Sequence, residues 1–388
     1  MMRRTGRSQA VFNFLRSIDY LQLLVMAALL GVGLIFIRST GLQIDTEASR
    51  GFFHRQLWWI VVGAGGYILF SLLDYRSFFC RSAMIMGYLL ALILLVAVLF
   101  FGLKVFGATR WLNIFGFRLQ PSEPAKLMVI GMMAEVFSAP RLKNNKLLCI
   151  FLAGLTVALP FFLIVIEPDL GSALVLLPVA GAMLFCFGIK WRYVALGLAA
   201  IAAGISFILL DSFREDPLLL RNYQRDRIKI FLNPGSDRGN RGHNAFQAKL
   251  AVGSGGLSGT GIGKGTQNEL GFLPHTVSNN DFIFSVIAEE TGFLGSSALL
   301  LLYGLLLYSI LRTAFMVSGY GRYLASGICT LIFCHVFINI GMSAGIAPVT
   351  GLPLPLVSYG GSFILTAMIT LGIMQSVYRH ARLDEMDF

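Results

Sequence analysis

Ten apolar runs, most of them close to twenty residues long, leave this chain few ways to fold. They fall near 18–37, 57–73, 82–103, 122–138, 147–166, 170–189, 193–210, 282–311, 323–345 and 359–378. About 20 apolar residues in a helix cross the hydrocarbon of a bilayer, and a helix satisfies its own backbone there. Only 13% of the 388 residues are charged, against about a quarter in soluble domains. The expected fold is an all-α polytopic membrane protein with about ten transmembrane helices and one large extracytoplasmic loop. Residues 1–210 form an N-terminal membrane part with seven helices, 211–281 the loop, and 282–388 a C-terminal membrane part with three helices. Run 282–311 exceeds the length of a span, so its first part is expected to lie at the interface or to tilt strongly. The first run follows Arg3, Arg4, Arg7 and Arg16 with no small-residue cleavage site, and reads as a retained span.

A formal net charge of +11 would direct a soluble chain toward nucleic acid. Here the distribution of the charge explains it. Alternate connections carry fifteen Lys and Arg on one side and six, Arg38, Arg50, Arg55, Lys104, Arg110 and Arg118, on the other. The richer side is cytoplasmic. Both termini are then inside, the 211–281 loop is outside, and no nucleic-acid partner is expected. The loop holds nine basic residues of its own, but the rule weakens for loops beyond about 60 residues. Five cysteines lie in or beside apolar runs without Cys-x-x-Cys spacing, so buried, inert thiols are expected rather than disulfides or a zinc site.

Charges within the spans are costly and mark candidate sites. Glu123 and Lys126 stand three apart on a helix starting near Pro121 and share a face. Either they are a structural ion pair, or with Arg110 above them they bind an anionic headgroup. In Glu167-Pro-Asp-Leu-Gly171, Asp169 suits a helix cap and a functional role equally, and Glu289-Glu290 is either buried and hydrogen-bonded or partly solvated, with chemistry the weaker reading. Tyr323 to Tyr378 contains no Asp, Glu, Lys or Arg, and 341–361 carries three prolines and five glycines. Prolines so dense break helices, and such backbone is tolerated at membrane depth only against protein or a water-filled cavity. A re-entrant segment is expected there, and it and the neighbouring spans offer an apolar surface to a partner's single helix. His335 reads as a satisfied interior histidine.

The loop contains Gly259-Thr-Gly-Ile-Gly-Lys-Gly-Thr266. It is not a P-loop, because Gly265 follows Lys264 and Ser258 stands at the first-glycine position. Its glycines permit close backbone approach and offer N–H groups to an anion. An extracytoplasmic enzyme without nucleotide takes its driving force from its substrate, and a polyprenyl-pyrophosphate sugar carries an activated glycosidic bond. The pyrophosphate leaves without a proton, so one carboxylate base suffices, unlike the two of most glycosidases. Asp281, at the junction of loop and helix, is the candidate.

Together, Arg110-Trp111, Gln120-Pro-Ser-Glu-Pro-Ala-Lys126, Glu167-Pro-Asp-Leu-Gly171, Gly265-Thr-Gln267, Asp281-Phe-Ile-Phe284 and Pro353-Leu-Pro-Leu-Val-Ser-Tyr-Gly-Gly361 resemble the SEDS family (shape, elongation, division and sporulation) of membrane peptidoglycan glycosyltransferases. Gly265-Thr-Gln267 and Gln247-Ala-Lys249 are more similar to its elongation branch than to its division branch. The resemblance implies polymerisation of lipid II outside the cytoplasmic membrane, within the cell-elongation machinery and beside a class B penicillin-binding protein. It also implies an essential aspartate at Asp281, as base or metal ligand, and a divalent metal, Mg or Mn. Substrate contacts are implied at Arg110, Glu123, Lys126, Gln267 and Ser358. Where the family reads Leu-Pro-Glu-x-His-Thr-Asp-Phe, this chain reads Leu273-Pro-His-Thr-Val-Ser-Asn-Asn-Asp-Phe282, without the Glu and two residues longer. A transporter that flips the lipid-linked precursor and a non-catalytic scaffold for the penicillin-binding protein are the alternatives.

Overall fold

The computed structural model describes Phe14 and residues 16–43, 47–105, 108–114, 116–142, 145–190, 192–193, 195–197, 199, 206, 210–211, 241–266 and 278–386. Most of the span expected at 193–210, residues 212–240 of the loop and Gln267 lie outside them. Helices α1 (Tyr20–Gln43), α2 (Glu47–Leu72), α3 (Arg81–Phe101), α4 (Ser122–Ser138), α5 (Lys146–Ile166) and α6 (Leu170–Cys186) precede the loop. Within it lies α7 (Arg241–Ser254), and after it come α8 (Ile283–Met316), α9 (Tyr320–Ser343) and α10 (Gly361–Met386). Among the described residues six helices, α1, α3, α5, α8, α9 and α10, are long and apolar enough to cross a membrane, and α6 is a shorter apolar helix. Large apolar side chains such as Phe100, Phe101, Leu147 and Phe315 stand exposed on their outer faces. Water does not tolerate so extensive an apolar surface on a soluble monomer, and lipid does. The chain is a multi-pass membrane protein.

The fold is not wholly helical. Strands β1 (Leu103–Val105), β2 (Ala108–Ile114) and β3 (Phe117–Leu119) form an antiparallel meander between α3 and α4. Leu112 pairs with Leu119 and Ile114 with Phe117, and the chain reverses at Gly116, whose φ of 85° suits glycine. Branched and aromatic residues at alternate positions favour strand here, and Phe117 lies against Trp59 of α2, ring centroids 4.8 Å apart.

Helix α4 is central, buried along most of its length and flanked by α3, α5, α6 and α9. Helices α2 and α10 pack closely through small residues: a Cβ on Gly372 would come within 2.6 Å of the Tyr67 carbonyl oxygen. Between α9 and α10 the chain is irregular, yet Leu352, Leu354, Leu356 and Val357 are all buried. Gly33 of α1 lies directly against this backbone, where a Cβ would stand 2.7 Å from the Val357 carbonyl oxygen. The re-entrant expectation matches this buried, non-helical run. Of the apolar surface expected for a partner's helix, Phe333 and Phe337 of α9 and Ile346 are exposed, while Leu352, Leu354, Leu356 and Val357 face the protein interior. The expectation of buried thiols holds for Cys149 and Cys334 but not for Cys80 and Cys186, which are exposed.

Candidate active site

Asp281 is half-buried in the turn that leads into α8. Three successive carbonyls of that turn accept hydrogen bonds from other elements. The Tyr359 N–H donates to Asn279 O at 2.9 Å, Ser358 Oγ donates to Asn280 O at 2.6 Å, and Asn339 Nδ2 donates to Asp281 O at 2.8 Å. Thr40 of α1 donates to the Asn279 side chain. Ser358 Oγ also accepts from the Leu354 N–H at 2.8 Å and is fully buried. The structure thus places Ser358 as a strut between the re-entrant segment and the Asp281 turn. Gln56 of α2 adds a further tie, donating to Ser358 O at 3.2 Å. Phe282 is buried with Ala248 and Ala251 of α7 and Met342 of α9, so the loop helix covers the turn.

The glycine-rich loop closes on the chain's own carboxylates. Helix α8 is interrupted at Gly292, φ 64° and ψ −159°, which accounts for its length. Across the break, Phe293 N–H donates to Gly256 O at 2.9 Å, Gly261 N–H to Glu290 O at 2.9 Å and Thr260 N–H to Glu289 O at 3.0 Å. Gly255 and Gly259 approach so closely that a Cβ on either would collide with the Ala288 or Glu290 backbone. The anion that the loop receives is Glu290: Gly263 N–H donates to its Oε2 at 3.1 Å, and Ser39 Oγ lies 2.6 and 2.7 Å from its two oxygens. Thr266 holds Glu289 at 2.8 Å. Lys264 is exposed.

Glu123 and Lys126 do share a face, but an interior one. Lys126 Nζ lies 2.9 Å from Glu123 Oε1 and 2.8 Å from His335 Nε2, and all three side chains are at least 96% buried. An ammonium has only donors, so Nε2 accepts and the imidazole is neutral, leaving Nδ1–H to face Pro353 O at 3.3 Å. Arg110, on β2, is elsewhere. It pairs with Asp169 at 3.6 Å and donates to Pro168 O. Asp169 caps α6 through Ser172 and accepts from Gln120 Nε2 at 3.1 Å. Beside it Glu167 is 1% exposed. Burial, then the charge of Asp169, pushes the Glu167 carboxyl up to about 8 against the opposing pull of Arg110.

Among the described residues no three His, Cys, Asp or Glu side chains converge on a metal position. Next to Asp281, however, Asn280 Oδ1 is buried without a hydrogen-bond partner. One carboxylate with a neutral oxygen is a hard donor set that fits Mg or Mn, ions usually completed by substrate phosphates. Sequence reasoning did not single out Thr40, Gln56, Asn279, Asn280 or Asn339. Asn339 did leave a signal: an amide one turn after His335 on an otherwise charge-free apolar run.

The chain as a whole is similar to known proteins. The chain is 40% identical over 301 residues to the peptidoglycan glycosyltransferase MrdB of Escherichia coli K12, covering 76% of this chain and 78% of that protein. A subunit of a peptidoglycan synthase complex that coordinates polymerization and crosslinking superposes with a TM-score of 0.77 at 28% identity, over 94% of this chain and 98% of that one. The rod shape determining protein RodA of Thermus thermophilus gives 0.66 at 28% identity, over 93% and 97%. Residues 20–383, from the first turn of α1 almost to the end of α10, match the FtsW/RodA/SpoVE family. With both membrane parts and the loop between them inside that match, the chain belongs to this family of cell cycle proteins.

Proposed function

We propose that the protein polymerises lipid II into glycan strands on the outer face of the cytoplasmic membrane during cell elongation and shape maintenance. The names of its relatives support the reaction. The observation that carries the site is a half-buried carboxylate on a turn pinned through three carbonyls. Ten spans, both termini in the cytoplasm and the 211–281 loop outside belong to this reading, and the bias of Lys and Arg supports them.

Asp281 takes the proton of the acceptor sugar's 4-hydroxyl as that oxygen attacks the anomeric carbon of the donor. The bond to the pyrophosphate breaks on the opposite face, and the configuration inverts. General-base assistance of this kind contributes about 10²–10⁴-fold. A divalent ion held by Asp281 and the Asn280 side chain would neutralise charge on the departing pyrophosphate. Arg110, half-buried at the surface of the sheet, is the candidate contact for the phosphates, and Gln267 remains a proposed substrate contact outside the described residues. Glu123 and Lys126 are committed to each other, and Lys126 also to His335, which favours the ion-pair reading for both.

Purified protein given lipid II in detergent should make glycan polymer, and Asp281→Asn should make none while keeping its expression level and thermal transition. Polymer from the Asn variant would remove Asp281 from the mechanism. Lipid II translocation without polymer in reconstituted vesicles would replace the polymerase with the transporter.

A further inference from the structure

Asn339 occupies a position that its amide alone explains. It sits on α9, fully buried, and one nitrogen, Nδ2, donates to two carbonyls, Asp281 O and Leu352 O, each at 2.8 Å. A primary amide carries two hydrogens on one nitrogen, so each carbonyl receives its own. The two acceptors belong to separate elements: Leu352 lies in the re-entrant segment after α9 and Asp281 in the turn before α8. One turn earlier on α9, His335 faces Pro353 O at 3.3 Å. The same face of α9 therefore sets the backbone of residues 352–353 and, through Asn339, the backbone of Asp281. Of the three donors to the carbonyls of the 279–281 turn, Asn339 is the one attached to that of Asp281. The others, Ser358 and Tyr359, attach to its two predecessors.

We propose that Asn339 is the positioning residue of the reaction: its forked amide sets the orientation of Asp281 and ties it to the re-entrant segment. The inference rests on the reading of Asp281 as the reacting carboxylate. Displacement of a reacting group by about 1 Å costs on the order of 10²-fold in rate. Substrate affinity, which draws on other groups, need not follow.

The test compares Asn339→Leu, Asn339→Asp and Gln22→Leu in the purified lipid II assay. Leu removes the donors while keeping the number and branching of side-chain heavy atoms. Asp keeps an oxygen in place while removing the fork, so it separates donation from any role of Oδ1. Gln22 is the matched control, a buried amide donating at 2.7 Å to Leu371 O, a contact between α1 and α10 outside the Asp281 turn. Both Asn339 variants are expected to lose about 10²-fold in kcat with KM within about threefold of the parent. Gln22→Leu is expected to lose thermal stability comparably and keep kcat per folded molecule. Should Asn339→Leu fail to fold, Asn339→Ser retains one donor and is expected to give an intermediate kcat. Parental kcat in Asn339→Asp or Asn339→Ser, or an equal kcat loss in Gln22→Leu, overturns the proposal. An active Asp281→Asn would instead overturn the reading on which it rests.

Discussion

A lysine sealed inside a membrane bundle persists only where every neighbour accepts from it. Lys126 meets that condition with Glu123 on its own helix and His335 on α9. The first partner was legible in the sequence from the three-residue spacing. The second, 209 residues away, depends on how α4 and α9 pack. Lys126→Met should therefore lower stability by about 3–5 kcal/mol, the cost of leaving a buried carboxylate without its partner. Kinetics per folded molecule should stay near parental, and adding Glu123→Gln should restore part of the loss in a double-mutant cycle. A raised KM for lipid II with an unchanged Tm would return Lys126 to the substrate site. Glu167 allows a sharper test through pH. Its carboxyl is held up at about 8 when folded and titrates near 4.3 in an unfolded chain. Between these values the folded protein keeps a proton that the unfolded chain has lost, so this group's contribution falls as pH rises to about 8 and is level beyond. Glu167→Gln should match the parent near pH 4.5 and exceed it increasingly toward pH 8, by about 1 °C of Tm per kcal/mol recovered in a chain of this length. A pH-independent difference in Tm would mean that the carboxyl is ionised in the fold.

Among the elements, the glycine-rich loop departs most from what its composition implies. Glycines suggest freedom, yet Gly255 and Gly259 touch the backbone of α8 and the loop's N–H groups are spent on Glu290 and its neighbours. Both the glycine pattern and the Glu289-Glu290 pair were visible in the sequence. That each is the other's partner was not, because the break at Gly292 that lets them meet is a single residue within an apolar run. Two glycines with similar positive φ separate contact from conformation. Gly263 has open space around its Cβ position and φ 76°, whereas Gly259, at φ 78°, would strike the Glu290 backbone. Gly263→Ala should cost only the left-handed strain, about 1–2 kcal/mol. Gly259→Ala should cost clearly more and expose 255–266 to limited proteolysis. Equal Tm losses with equal protection would mean that the loop is not clasped to α8 in solution.

At the scale of the whole molecule, the buried turn of Asp281 joins α1, α9, the re-entrant segment and, through Phe282, the loop helix α7. Anything that moves the loop helix moves a wall of the site. A class B penicillin-binding protein is the proposed partner, and one that holds the loop helix α7 has a direct route to the rate. A one-to-one complex should survive purification from membranes in mild detergent and raise kcat for lipid II polymerisation at least severalfold. Full activity alone, without stable association or change on adding the partner, would make the protein an independent polymerase.

By itself the sequence determined the membrane class, most of the helix positions, the re-entrant run and the candidate carboxylate. Those follow from run length, charge bias and proline density, which are local quantities read along one chain. It did not determine the β-meander, whose short strands carry no span-length signal, nor the partners of Arg110 and Glu290, nor His335 as the second partner of Lys126. Least of all did it determine the three donors to the carbonyls of the Asp281 turn, since Asn339, Ser358 and Tyr359 lie 58 or more residues away. Only tertiary packing brings them there, because a buried carbonyl must find a donor wherever the fold provides one.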